Sequence, residues 1–227
     1  VIDSEALLSE SVLDFLFWSS NYYHHPIGEV LSNAIPKNLR LGKPAVIKKL
    51  SEIKNSIAPT ILSLTSEQED AVAEIINYKD SFNGFLLHGV TGSGKTEVYL
   101  RVTEKLLEEG KQVLVLVPEI GLTPQMIDRF GKRVNGRVVA VHSQLNETQK
   151  QDAYLMAKSG EAKVVLGTRS AIFTSLPNLG LIIVDEEHDG SFKQQSNFRY
   201  SARDLSFIRA KLANIPLILG TATPSLA

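Results

Sequence analysis

The chain has 227 residues, 43% of them hydrophobic and 22% charged, the profile of a soluble globular protein with a core large enough to need no staples. The 24 Lys+Arg nearly cancel the 25 Asp+Glu, so bulk charge advertises neither nucleic acid nor membrane and any basic surface must be local; no apolar run reaches the roughly 18–20 residues that span a bilayer. With no cysteine, disulfides, Cys-ligated zinc and a Cys nucleophile are excluded, and the redox compartment stays open.

In chain order, residues 9–23 form an amphipathic helical pattern on Leu13, Leu16 and Phe17. It breaks at Tyr22-Tyr23-His24-His25-Pro26, because proline disfavours helix at the residue before it. A second short helix is predicted over 28–34. Residues 1–36 are too few for a core of their own and are expected to pack on something else. The cluster Trp18, Tyr22, Tyr23 could stack on bases, or be core or interface, which is the commoner fate. Residues 37–60 read as a linker, its basic excess (Lys37, Arg40, Lys43, Lys48, Lys49, Lys54 against Glu52) suited either to a phosphate backbone or to plain solvation.

From Leu64 onward short apolar or β-branched runs alternate with helical patterns. Helices are expected over 66–78, 95–109, 123–134, 147–159 and 201–212. Strands are expected over 85–87, 113–117, 138–141, 163–166, 181–184 and 216–219. That alternation predicts an α/β domain over 61–227, a parallel sheet covered on both faces. The ends, starting without Met and stopping just after an apolar run, suggest a piece of a longer chain.

Residues 89–96, GVTGSGKT, satisfy G-x-x-x-x-G-K-[ST] between a predicted strand and a predicted helix. Gly89, Gly92, Ser93 and Gly94 form the turn. Gly92 and Gly94 let the backbone bend until successive N–H groups point at phosphate oxygens, and the helix N-terminus adds its positive end. Lys95 would reach the β/γ-phosphates, and the Thr96 hydroxyl would ligate Mg²⁺. A nucleoside triphosphate ligand is therefore expected. The run 181–184 ends in Asp185-Glu186-Glu187-His188, 90 residues beyond Lys95. Asp185 suits a metal-holding carboxylate, and Glu186 a base that orients and deprotonates water. His188 could contact the γ-phosphate or relay its state.

Together with Thr221-Ala222-Thr223-Pro224, these motifs resemble the first RecA-like lobe of superfamily 2 helicases. More closely, GVTGSGKTEVY (89–99), VPEIGLTPQ (117–125), GTRSA (167–171), DEEHD (185–189) and FKQQSNFRYSARD (192–204) resemble the PriA family of primosomal replication-restart helicases. NYYHHPIGEV (21–30) is similar to the end of that family's N-terminal domain, which binds the 3′ end of the leading strand at a fork. The resemblance implies an ATP- and Mg²⁺-dependent 3′-to-5′ DNA helicase acting at stalled or abandoned forks in the bacterial cytoplasm, associated with the nucleoid. Implied partners are forks, single-stranded DNA, primosome proteins and single-stranded-DNA-binding protein, with no membrane.

It also implies residue roles. Gln68 would contact adenine, though a helix-start capping contact is the plain alternative. Thr221 and Thr223 would couple ATP state to DNA, and Thr168 and Arg169 would touch the tracked strand's backbone. Residues 192–200 would form an aromatic-rich, DNA-sensing loop. Its chemistry agrees: from 191 to 211, Lys193, Arg199, Arg203, Arg209 and Lys211 face one acid, Asp204, and Phe192, Phe198 and Tyr200 are interleaved as base stacking would require. Core packing is the alternative for those aromatics.

Two departures stand out. The family normally places a winged-helix domain between its N-terminal domain and the motor, but 24 residues (37–60) cannot hold a domain of about 60 residues. Either this member lacks the domain or it has been left out. The family's second lobe, with its arginine finger, and its cysteine-rich zinc region are not in this chain, so zinc is expected only in a longer protein. Two competing functions remain: a nucleotide-gated DNA-binding module that recruits partners without unwinding, and a P-loop enzyme of small-molecule metabolism. The Thr221-Ala222-Thr223 motif and the aromatic-basic loop argue against the second.

Overall fold

The computed structural model describes residues 6–43, 63–119, 121–134 and 137–224. Six strands, β1 (Gly84–His88), β2 (Gln112–Leu116), β3 (Arg137–Val141), β4 (Ala162–Gly167), β5 (Leu179–Val184) and β6 (Leu217–Thr221), pair in the order β1-β6-β5-β2-β4-β3. Every pairing in that sheet is parallel. Parallel neighbours need crossover helices, and these cover both faces.

The period of two along each strand divides the core. Val113, Val115, Leu181, Ile183 and Ile218 pack with α4 (Ser66–Asn77), α5 (Lys95–Glu108) and α6 (Pro124–Arg133). Leu114, Leu116, Ile182, Val184 and Leu217 pack on the other face with α1 (Glu10–Tyr22), α2 (Ile27–Ala34), α7 (Glu147–Lys158) and α8 (Ala202–Ala213). Start signals in the sequence place several of these helices. Thr65 caps α4 by accepting from the Gln68 amide while Gln68 Oε1 accepts from the Thr65 amide, and Asn146 and Gln149 repeat the device at α7.

The first helices share the core of the sheet domain. Val12, Phe15, Leu16, Val30 and Ala34 are buried in one cluster with Phe173, Phe198 and Leu205, and the Phe15 and Phe173 rings lie 5.9 Å apart. The expectation that residues 1–36 pack on another surface is answered by the α8 face of the sheet. Burying Phe15 there contributes about 2–3 kcal/mol. Arg209 of α8 sits beneath it, with its guanidinium 5.8 Å from the Phe15 ring centroid. Arg209 is 5% exposed and donates to the carbonyls of Ile172 and Thr174, and burial pushes its pKa down to about 10.

The predicted linker needs a correction at its start. Residues 37–40 form α3 (Lys37–Arg40), a single turn whose Leu39 is buried against Tyr154 and Leu155 of α7. The Tyr154 hydroxyl donates to the Leu7 carbonyl at 2.6 Å, closing the same corner. Residues 44–60 of the expected linker lie outside the described residues. Among the described residues no helix is long and apolar enough to cross a membrane.

Candidate nucleotide site and the aromatic-rich loop

In a parallel sheet, ligands gather at the carboxyl ends of the strands. The turn after β1 lies there. Gly92 and Gly94 have φ of 84° and 88°, the left-handed region glycine enters freely, and Gly94 caps α5, which opens at Lys95. A Cβ at Gly94 would also displace the side-chain amide of Gln68. The Lys95 side chain is only 9% exposed, donates to the Gly89 carbonyl at 2.6 Å, and lies 3.9 Å from Glu186 Oε1. The phosphate-type turn and the acidic turn after β5 thus face one another.

Between them is a cavity of about 580 Å³. Gly92, Gly94, Lys95 and Thr96 line one side and Asp185 and Glu186 another. Arg129, Lys132 and Arg133 of α6 complete it, and nothing in the sequence singles these three out. Arg133 is fixed, donating to both oxygens of Glu97 at 2.9 Å and to Glu104 at 3.0 and 3.2 Å.

Burial raises the Asp185 carboxyl above its ordinary range, and the neighbouring Glu186 adds to that; the Tyr99 hydroxyl, donating to Oδ1 at 2.9 Å, opposes it. Tyr99 closes the GVTGSGKTEVY motif, but a hydroxyl pointing into the sheet leaves no trace in periodicity, so sequence reasoning gives it no role. Gly220 makes the contact possible: a Cβ there would overlap the Tyr99 hydroxyl and come within 3.1 Å of Asp185 Oδ1. Glu186 adopts φ of 49°, a conformation costing a non-glycine residue about 1–2 kcal/mol. The turn holds it by bonds from the Glu187 amide to the Gly220 carbonyl and from the Asp189 amide to the Glu186 carbonyl, both 2.9 Å.

These residues fit a magnesium ion. A desolvated carboxylate beside a second one, with Lys95 at 3.9 Å from Glu186 and the α6 cations on the far wall, is an environment that further positive charge would stabilise. Asp185 and the Thr96 hydroxyl would hold the ion from opposite sides of the cavity. Phosphate oxygens and water would complete the coordination of such an ion. Tyr99→Phe is therefore expected to raise the Mg²⁺ concentration for half-maximal turnover by roughly 10-fold. Nucleotide binding in EDTA should be unaltered, and an unchanged Mg²⁺ titration would remove Tyr99 from the site.

Other expected residues sort by what they touch. His188 Nδ1 is 2.9 Å from the Thr221 hydroxyl, and Thr221 Oγ1 accepts from the Thr223 amide at 3.2 Å, so the acidic turn and the segment after β6 are physically joined. Gln68 realises the capping alternative, and its Nε2 also donates to the Ser93 carbonyl at 2.9 Å. That leaves one amide hydrogen for a base.

The aromatic-rich loop requires corrections. Phe198 and Tyr200 are 1% and 5% exposed and Phe192 is also buried, so none presents a face for base stacking. The core-packing alternative holds: Phe198 lies edge-on to Tyr23 at 5.7 Å and stacks on His25 at 5.1 Å, and Tyr200 meets Phe173 at 5.0 Å. Lys193 and Arg199, between them, point outward. Thr168 is buried at 4% exposure, which does not fit a direct contact to a DNA backbone. Arg169 donates to the carbonyls of Ser191 and Lys193, at 2.9 and 3.1 Å, holding the loop instead of presenting a free guanidinium. Arg203 of α8 bonds the buried Glu187 at 3.1 Å and ties the far end of the loop to the acidic turn.

A phosphate-type turn, an acidic turn across a shared cavity and a threonine segment linked to both, all on one edge of a parallel sheet, define a P-loop motor lobe. The chain belongs to the DEAD/DEAH box helicase family, whose description matches residues 65–227. Its first 36 residues match the 3′DNA-binding domain (3′BD). At the level of single proteins the likeness is to replication restart protein PriA. That of Haemophilus influenzae is 37% identical over 298 residues, covering 99% of this chain and 41% of the relative. That of Treponema pallidum is 37% identical over 225 residues, covering the same 99% of this chain and 34% of the relative. The chain spans less than half the length of these relatives. Among solved structures, RecG bound to a three-way DNA junction superposes with a TM-score of 0.56 and 28% identity, covering 72% of this chain and 21% of that one.

Proposed function

We propose that these residues are the ATP-binding lobe, with the adjoining end of a 3′-end-binding domain, of an ATP-dependent 3′-to-5′ DNA helicase that remodels stalled or abandoned replication forks. The observation that carries this is the facing pair of turns, Lys95 opposite Asp185 and Glu186, joined through His188 and Thr221 to the segment after β6. The match of residues 1–36 to a 3′-end-binding domain and the PriA likeness support the fork as substrate.

Main-chain amides of 92–96 and Lys95 grip the β/γ-phosphates. Thr96 and Asp185 would hold Mg²⁺, which when bound would neutralise charge on the phosphate oxygens. Glu186 orients the attacking water and takes its proton. His188 and Thr221 pass the state of the site to Thr223. Lys193 and Arg199 are the loop's outward cations and suit phosphate contacts. Primosome proteins and single-stranded-DNA-binding protein are the partners this reading assigns, in a bacterial cytoplasm near the nucleoid. Zinc belongs to a cysteine-rich region outside this cysteine-free chain.

The short connection over 37–60 reads as natural. The Haemophilus alignment needs 298 residues to cover what the Treponema alignment covers in 225, so a connection without an inserted domain has a parallel in a relative.

The test is strand displacement and ATP turnover by the complete protein on forked DNA. Turnover should rise with DNA, and unwinding should require ATP. Stimulation without displacement would favour the nucleotide-gated recruiting module, and absence of any DNA effect would overturn both. The 227-residue chain alone should turn over ATP about 10³-fold or more slower than the complete protein, because an arginine finger from a second lobe is worth about 10³–10⁵. Equal rates would contradict this.

A further inference from the structure

A second cavity, about 320 Å³, opens where the first helices meet the motor lobe. The α2–α3 junction lines one side with Lys37 and Arg40. Ser143 after β3, Glu147 and Lys150 of α7, and Ser170 beside Arg169 line the other. Three cations thus surround one carboxylate. Glu147 is already bonded to Lys150 at 2.9 Å. Its carboxyl is held below its usual range, first by that bond and further by the fields of Lys37 and Arg40. The net field in the crevice is positive, and hydroxyls rim it.

Position narrows the ligand. The crevice lies at the carboxyl ends of β3 and β4, on the same sheet edge as the phosphate-type turn after β1 and the acidic turn after β5. Of its aromatic members Tyr154 and Phe173 are 4% and 1% exposed, which leaves the half-buried His142 after β3 as the one accessible ring. A positive, hydroxyl-lined slot with a single imidazole and no open Phe, Tyr or Trp face suits a sugar–phosphate backbone better than a free nucleotide. We propose that this crevice holds a backbone phosphate of single-stranded DNA where the strand passes from the 3′-end-binding helices onto the motor lobe. The inference rests on the reading that the protein binds DNA. It adds a phosphate subsite built jointly by the first helices and the lobe.

The experiment compares the complete protein with Lys37→Glu/Arg40→Glu and with the milder Lys37→Ala/Arg40→Ala. Neither residue is buried, and both doubles keep the buried Leu39. Binding of 3′-ended single-stranded DNA is followed by fluorescence anisotropy across a salt series. We expect affinity at low salt to fall by about 10-fold or more in the charge reversal. The slope of log K against log [salt] should shrink by about 0.7 for each phosphate that is no longer neutralised. DNA-independent ATP turnover should be unchanged, which also reports an intact fold. Wild-type affinity and slope in both doubles would overturn the subsite while leaving DNA binding standing. No DNA binding by the unaltered protein would sink the underlying reading itself. Calorimetry with inorganic phosphate separates the other source: saturable binding that disappears in the doubles, with the DNA salt slope untouched, would make this a free-anion site and refute the proposal.

Discussion

Lys95→Ala in the complete protein is expected to abolish ATP turnover, by at least about 10²–10³-fold, while fork binding survives. The lysine is nearly enclosed, with its ammonium between the Gly89 carbonyl and Glu186. It supplies the nearest fixed positive charge to an acidic pair in which Asp185 is desolvated. Without it the β/γ-phosphates lose their point charge, and the two carboxylates repel them. The fold should not suffer, because alanine is a good helix former and the position opens α5. Thermal melting near wild type, with DNA affinity retained, would therefore accompany the lost turnover. Undiminished hydrolysis would refute the assignment of the site.

Arg209→Ala should produce the largest stability loss, about 3 kcal/mol, read as a lowered midpoint in urea. The substitution leaves the Ile172 and Thr174 carbonyls without their donors and opens a void beneath Phe15. Part of that cost is offset, because burial already disfavours the charged guanidinium. Nucleotide binding by the folded fraction should be normal, since α8 packs on the face away from α5. A midpoint within error of wild type would show that the buried arginine holds nothing together.

Much of this was legible from residues alone. Strands alternating with helices dictated the sheet, and the glycine turn, opening a helix after a strand, pointed to one wall of the larger cavity. The DEEH turn falls where its position after a buried apolar run placed it, and its Glu186 backbone strain is visible only in three dimensions. The aromatic-rich loop misleads for a physical reason. Interleaved cations and aromatics read equally as a stacking platform or as an in–out alternation, and composition cannot say which set faces water. Here Phe198 and Tyr200 face inward, with Phe198 against Tyr23 and His25, residues more than 170 positions earlier. The single turn at 37–40 is shorter than any helical period can register. Arg129, Lys132 and Arg133 reach the cavity through the packing of α6 beside α5, a tertiary fact with no local signature.

The sharing of one nucleus by α1, α2 and the motor has a practical corollary. Phe15 and Tyr23 shelter Phe173 and Phe198, so an expression truncation that discarded the first 36 residues would leave the lobe undressed along an oily flank. Such a shortened motor would tend to self-associate, and its sluggishness could be mistaken for a catalytic defect.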